Sequence, residues 1–286
     1  MGNIKELGAV VIPRKTIRRL LDRVVVALDR VGKSKTPGVK TVHGLRVACR
    51  RAQAGLKLFQ TWLPRKRRKN LNEWLKDIRK AADRTRGMDI LLEHLVDSKR
   101  KTARRTWFWA ARKDRVRSAK KLFLAVLKKR DPFRRRSKAL VKRVKPDSGE
   151  RTAQKTWERL QYLMVRMNDS MENAGRDEES FHAFRIALKK VRYALEISRS
   201  LWPTVAVGSI VAMLKTIQDR VGAANDQMEF VADLHARKKD NPHGPWLGLL
   251  EKENKRKEAA WQTVVPWLES IRGSLRREIS KFQVAD

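Results

Sequence analysis

The amino-acid sequence predicts an all-α protein built from two copies of one helical unit, packed about a pseudo-twofold axis. Three observations carry that prediction. Helical periodicity runs through most of the chain, while β-branched alternation is scarce and only two tyrosines occur. Proline- and glycine-containing breaks cut the periodic stretches into helix-sized pieces. The first set of pieces then recurs in the second half at a fixed offset.

The elements follow from these breaks in order. A first helix is expected at 14–31, closed by the run from Gly32 to Pro37, and a second at 41–63, ending before Pro64. Helices at 65–85, 88–102 and 105–130 follow, the last stopped by Pro132. The segment 131–150, DPFRRRSKALVKRVKPDSGE, contains Pro132 and the break from Pro146 to Gly149, and it reads as a connection. In the second set, 152–173 stops before Gly175 and 179–201 stops before Pro203. Helices at 204–222 and 226–238 precede the break from Asn241 to Pro245, and 246–281 completes the chain. Pro266 should kink or interrupt that last helix. Residues 1–286 are thus expected to form one domain, with an N-terminal repeat at 1–130 and a C-terminal repeat at 151–286.

The repeat is legible residue by residue. Residues 43–59 read HGLRVACRRAQAGLKLF, and residues 182–198 read HAFRIALKKVRYALEIS. The same offset of 139 residues, 43 to 182, brings Pro64 onto Pro203, Leu75-Lys76 onto Leu214-Lys215, Ile78 onto Ile217 and Leu95 onto Leu234. A chance His-x-x-Arg match would not carry a proline and the next helix with it.

Charge narrows the partners. There are 68 Lys and Arg against 31 Asp and Glu, a formal net charge of +37. Self-repulsion of that size favours a polyanionic partner: nucleic acid, an anionic membrane surface or a phosphate polymer. The excess is spread over the chain, which points to basic folded surfaces. Cys49 is the sole cysteine, so no disulfide framework or thiolate zinc site can form, and a reducing compartment fits. The N-terminus carries no secretory pattern, and no run of about 18 apolar residues could span a membrane. A cytoplasmic protein with no membrane partner is expected.

The repeated helix carries the candidate site. At about 100° per residue, His43, Arg46, Arg50, Gln53 and Lys57 share one narrow face. Leu45, Ala48, Ala52, Leu56 and Phe59 lie on the opposite side, and Arg51 flanks the ridge. In the second copy, His182, Arg185, Lys189 and Arg192 form the ridge, Lys190 flanks it, and Glu196 replaces Lys57. Lys76, Arg79 and Lys215, at the starts of the following helices, are weaker candidates. Arginine offers a planar fork to two phosphate oxygens and lysine a mobile point charge. Histidine donates once when neutral and twice when protonated, and a polyanion favours the second form. Cations recurring at each turn, about 5.4 Å apart, match a linear array of negative charge. The plainer alternatives are a merely solvated basic face, and histidines that serve as core or capping residues.

At these residues the sequence resembles the conserved-histidine α-helical domain (CHAD) family. The resemblance lies in His43, Arg46 and Arg50-Arg51, and in His182, Arg185 and Lys189-Lys190 continuing into Arg192-Tyr193-Ala194-Leu195-Glu196. The family's later Arg/Asn-Asp segment is matched by Asn225-Asp226. In the first half Arg86 is followed by Gly87, with Met88-Asp89 close by, so the pairing that the aspartate would carry is open there. The resemblance covers nearly the whole chain. It implies an antiparallel all-α fold of two similar, pseudo-symmetric bundles, with basic residues lining a central groove or pore that binds inorganic polyphosphate, often at polyphosphate granules. No cofactor is expected.

Other constellations carry less. No Gly-rich phosphate loop, HExxH, GxSxG or paired-cysteine signature occurs. Glu251, Glu253 and Lys255 spell ExExK, the strand-borne mark of a triphosphate-processing domain fused to some relatives, but here it lies in a polar helical run. Asp77 with Asp83, or Asp219 with Asp226, could hold magnesium, although balancing nearby arginines is the commoner role. Trp107, Phe108 and Trp109 could stack bases, although core packing is commoner. The sequence therefore favours non-catalytic, metal-free binding of polyphosphate. Non-specific nucleic-acid binding is the runner-up and a phosphate-transfer enzyme the third reading, with oligomeric state left open.

Overall fold

Apolar side chains at helical spacing build every element of the computed structural model, which describes residues 12–97, 101–145, 148–199, 201, 205–240 and 246–284. Among these residues there are eight α-helices and no strand. The chain divides into two compact units, 2–154 and 155–286. No helix among the described residues is long and apolar enough to cross a membrane.

The N-terminal unit contains α1 (Ile12–Val31), α2 (Val39–Leu58), one 3-10 turn (Gln60–Trp62), α3 (Arg65–Asp97) and α4 (Lys101–Val141). These helices touch in ring order: α1 on α2, α2 on α3, α3 on α4 and α4 back on α1. The core is the stripe each one turns inward, with Ile17, Leu21 and Leu28 from α1 and Leu45, Cys49 and Leu56 from α2. Leu75 and Ile78 of α3 and Leu122 and Phe133 of α4 complete it, all nearly fully buried. The α1–α2 approach depends on Gly55, where a Cβ would run into Leu20 Cδ1. Phe59 and Trp62 close the end of the bundle edge-to-face, with ring centroids 5.9 Å apart.

The other end is closed by charge. Arg115 of α4 donates from Nε to Asp89 Oδ1 of α3 at 2.9 Å, and from Nη2 to the Pro37 carbonyl at 2.6 Å. One guanidinium thus fixes α3, α4 and the chain entering α2.

The C-terminal unit follows the same order of two shorter and two longer helices: α5 (Gly149–Glu172), α6 (Glu178–Ser198), α7 (Val205–Asp240) and α8 (Trp246–Val284). The first residues of α5 precede the division at 154–155. Met164, Met167, Phe184, Leu188, Leu214, Ile217 and Leu275 lie in its core. Phe181 packs on Trp261 at 5.5 Å, and Arg272 and Arg276 of α8 grip Glu172 at the end of α5. Helix α6 is capped by Asp177, whose carboxylate accepts from the Ser180 N–H at 2.7 Å. That bond holds the Asp177 carboxyl below its ordinary range.

Several expected interruptions are absent. Helix α3 passes through Arg86-Gly87 and α7 through 223–225. Neither point contains a proline, and one glycine costs a helix only about 1 kcal/mol, less than the packing of the flanking buried residues returns. Helix α4 runs through Pro132 to Val141, so the connection shrinks to 142–148. Phe133 and Leu140 just beyond the proline are fully buried, which outweighs the lost backbone bond. Pro266 likewise leaves α8 uninterrupted. The breaks expected at Pro146, Pro203 and Asn241 to Pro245 lie outside the described residues.

Candidate functional site

In each unit a cationic seam forms where a His-bearing helix meets the long helix after it. His43 is the fifth residue of α2 and His182 the fifth of α6.

In the N-terminal seam, Arg46 donates from Nε to Asp83 Oδ1 of α3 at 2.6 Å. Arg79 reaches the other oxygen of the same carboxylate at 3.4 Å. Gln53 donates to Asn72 at 3.2 Å one step along the antiparallel pair. Lys57 and Lys76 are exposed, while Arg50 and Arg51 are half-buried. His43 is exposed, and its pKa is lowered from 6.5 first by partial burial and then by the positive charges of Arg86, Arg46 and Arg50. All seven predicted residues of this half therefore fall on α2 or α3. Arg86, which the sequence reading did not assign to the site, joins them beside His43.

In the C-terminal seam, Arg185 donates to Asp226 Oδ1 at 2.8 Å, with Glu229 at 3.8 Å. His182 Nδ1 lies 2.8 Å from Asn225 Oδ1, and Asn225 donates its own amide to Glu229 Oε1 at 2.7 Å. Because an ionised carboxylate only accepts, the amide orientation is fixed, and His182 Nδ1 must carry the proton. Arg192 donates to Gln218 at 2.8 Å, pairs with Glu196, and stacks over Tyr193 at 4.8 Å. Lys189 is half-buried, and Lys190 and Lys215 are exposed.

The two seams answer the open question about the aspartate. Arg46 and Arg185 occupy matching positions in the two repeated segments, yet their carboxylates come from different points on the following helix. Asp226 serves Arg185, whereas the residue at its offset is Gly87, and Asp83 one turn earlier takes its place for Arg46. In the first seam Asp83 pairs with Arg46 and Arg79 and Glu93 with Arg86, and in the second Asp226, Glu229 and Glu196 contact Arg185 and Arg192.

Other constellations resolve into structural parts. Asp77 takes Lys129 at 2.6 Å, so Asp77 and Asp83 serve separate cations. Among the described residues no three His, Cys, Asp or Glu side chains converge to hold a metal ion. Glu251, Glu253 and Lys255 lie on α8, where Glu253 is buried and accepts from Gln227 and Arg256. Cys49 is buried, and burial pushes its thiol up to about 12. Trp62 is a core residue, and the Trp74 ring carries Lys129 at 5.5 Å and Arg136 at 4.6 Å. Trp109 is 54% exposed with Arg112 at 5.0 Å from its ring, which departs from the core-packing expectation. The Trp107 and Trp202 side chains lie outside the described residues.

Comparison with known proteins places the fold. A family model, CHAD domain, matches residues 15–235. A solved structure titled as the CHAD domain from the plant Ricinus communis superimposes with a TM-score of 0.72 at 20% identity, covering 94% of this chain and 93% of that one. PptA from Streptomyces chartreusis aligns with a TM-score of 0.56 at 13% identity, covering 96% and 99% respectively. No curated protein matches the sequence.

Proposed function

Since this chain belongs to the CHAD domain family, we propose that it binds inorganic polyphosphate on its two His-led seams without hydrolysing or transferring it. The observation that carries the reading is the ladder of cations along α2 and α3. Arg46 and Arg79 are held by one shared carboxylate, while Lys57 and Lys76 reach solvent beside them. Arginines fixed in this way are pre-organised, so little conformational entropy is lost when a phosphate arrives. The exposed lysines add charge that can track a mobile chain. Recruitment to polyphosphate granules follows as the cellular consequence of such binding.

The test is competition at near-physiological salt. Labelled long-chain polyphosphate is displaced by unlabelled polyphosphate, single-stranded DNA or duplex DNA at matched charge concentration, and fluorescence anisotropy is read. DNA should compete only at a tenfold or greater excess of charge. Equal competition would replace this reading with a non-specific nucleic-acid surface, for which the exposed Trp109 beside Arg112 offers a stacking platform.

His43 supplies a second readout. Its folded-state pKa lies below the unfolded 6.5, so acidification through that range protonates the unfolded chain first and lowers stability. A bound polyanion acts in the opposite direction by stabilising the imidazolium. Polyphosphate is therefore expected to raise the His43 pKa, and affinity should increase as pH falls from 7.5 to 5.5. NMR titration of the imidazole carbons, assigned with H43Q, measures both. An imidazole insensitive to polyphosphate would remove His43 from the site.

A further inference from the structure

The ring order of the N-terminal unit leaves a second seam, between α1 and α4, on the side of the bundle away from the α2–α3 ladder. A groove of about 550 Å³ opens there. Arg18 comes from α1, and Arg134, Lys138 and Lys142 come from successive turns of α4. Leu21, Val25 and Val141 form its apolar surface. Asp22 is the carboxylate among the lining residues, and Arg134 is oriented by both oxygens of Asp29, at 2.9 and 3.1 Å.

Ser137 is the informative residue. It lines the groove, is 4% exposed, and its buried Oγ has no hydrogen-bond partner. Four other helical serines, Ser118, Ser170, Ser198 and Ser270, each donate to a backbone carbonyl three or four residues earlier. A buried hydroxyl left without a partner is unfavourable. The groove that Ser137 lines carries four cations, Arg18, Arg134, Lys138 and Lys142, and the acceptor complementary to that set is an anion.

We propose that the α1–α4 groove is a separate site for a compact phosphoryl group, with Ser137 Oγ–H, Arg18, Lys138 and Lys142 as its donors. A phosphoryl oxygen accepts from hydroxyl, ammonium and guanidinium together. The apolar surface excludes water from one side and strengthens those bonds. Asp22 opposes a long polyanion continuing through the groove, so the ligand is a terminal group. It belongs either to a small organic phosphate, whose remainder covers Leu21, Val25 and Val141, or to the end of a polyphosphate chain. This site stands independently of the seams carrying Arg46 and Arg185.

The test uses the full-length chain carrying R46Q and R185Q, so that the two His-led seams are disabled. Inorganic pyrophosphate and ADP are titrated by calorimetry into this background and into the same background with S137A or with K138E/K142E. Both ligands should bind the parent at one site. S137A should weaken them about tenfold, as expected for loss of one hydrogen bond to a charged group, without lowering Tm. K138E/K142E should abolish binding while far-UV circular dichroism is retained. Tighter binding of ADP than of pyrophosphate assigns the groove to an organic phosphate, and equal or weaker binding assigns it to a chain end. Affinity unchanged by both groove variants, or no binding to the R46Q/R185Q parent, overturns the proposal. A failure of the seam reading looks different: the R46Q/R185Q parent would then hold long-chain polyphosphate as tightly as the unaltered chain.

Discussion

Replacing Arg46 and Arg185 together by glutamine should lower affinity for long-chain polyphosphate by about 100-fold or more at about 150 mM salt. The magnitude follows from two hydrogen-bonded charge contacts at about 1.5–3 kcal/mol each. The replacement also exposes the ligand to the carboxylates that the arginines had neutralised, since Asp83 lies 2.6 Å from Arg46 and Asp226 lies 2.8 Å from Arg185. Glutamine is the better choice than glutamate because reversal would set carboxylate against carboxylate in partly buried positions. Counterion release adds a second observable. For a linear polyelectrolyte, each lost contact should lower the slope of log affinity against log salt by about 0.7–0.9. Anisotropy titrations between 100 and 400 mM salt measure both quantities, with circular dichroism reporting the fold. Each single variant should give a smaller loss than the pair, about tenfold for one hydrogen-bonded charge contact. Affinity within threefold of the unaltered chain would show that the seams do not hold polyphosphate.

Much of the candidate site is legible in the sequence. The repeated His-x-x-Arg segment and the opposite apolar face place His43, Arg46 and Lys57 on one side of α2, because helical periodicity fixes both faces at once. Partnership was harder to read. Arg46 and Arg185 match in sequence, but the carboxylate each meets depends on the register of two packed helices, and a one-turn difference exchanges Gly87 for Asp83. Arg86 was missed for the same reason, since it approaches His43 from α3 and not along α2. The tautomer of His182 required three residues, two of which, Asn225 and Glu229, lie more than forty positions away.

Helix boundaries show where local signals lose to packing. Pro132 and Gly87 both read as breaks, and both lie within helices, because the residues after them are committed to the core. Phe133 illustrates the balance. A proline inside a helix costs about 3 kcal/mol, while burying one phenylalanine recovers roughly 1.5–3 kcal/mol, and the leucine and valine that follow, Leu140 and Val141, are buried as well. Local propensity sees the first quantity and not the second. The α1–α4 groove was invisible for a related reason: Ser137 reads as an ordinary polar residue in a basic run until the ring of four helices brings Arg18 opposite it.

The largest loss of stability from a single substitution outside the apolar core is expected at Arg115. The Asp89 side chain is 1% exposed and Arg115 is 12% exposed, so Arg115→Ala leaves a carboxylate buried without its cation. Breaking a buried pair on one side costs about 3–5 kcal/mol. At about 2–4 °C per kcal/mol for a unit of this size, thermal denaturation should show a Tm lower by roughly 6–20 °C. The double variant D89L/R115M removes both charges and should recover most of that loss, since well-packed apolar residues commonly replace buried ion pairs without penalty. Recovery of stability would not restore everything. Arg115 also donates to the Pro37 carbonyl at 2.6 Å, two residues before α2 begins and six before His43. Methionine cannot make that bond, so the double variant should keep a near-normal Tm yet bind polyphosphate several-fold more weakly, with the start of α2 exchanging amide hydrogens faster. If D89L/R115M restores both stability and affinity, the Pro37 contact has no part in presenting the ladder. If R115A leaves Tm unchanged, Asp89 finds another partner, and the closure of this end of the bundle does not depend on Arg115.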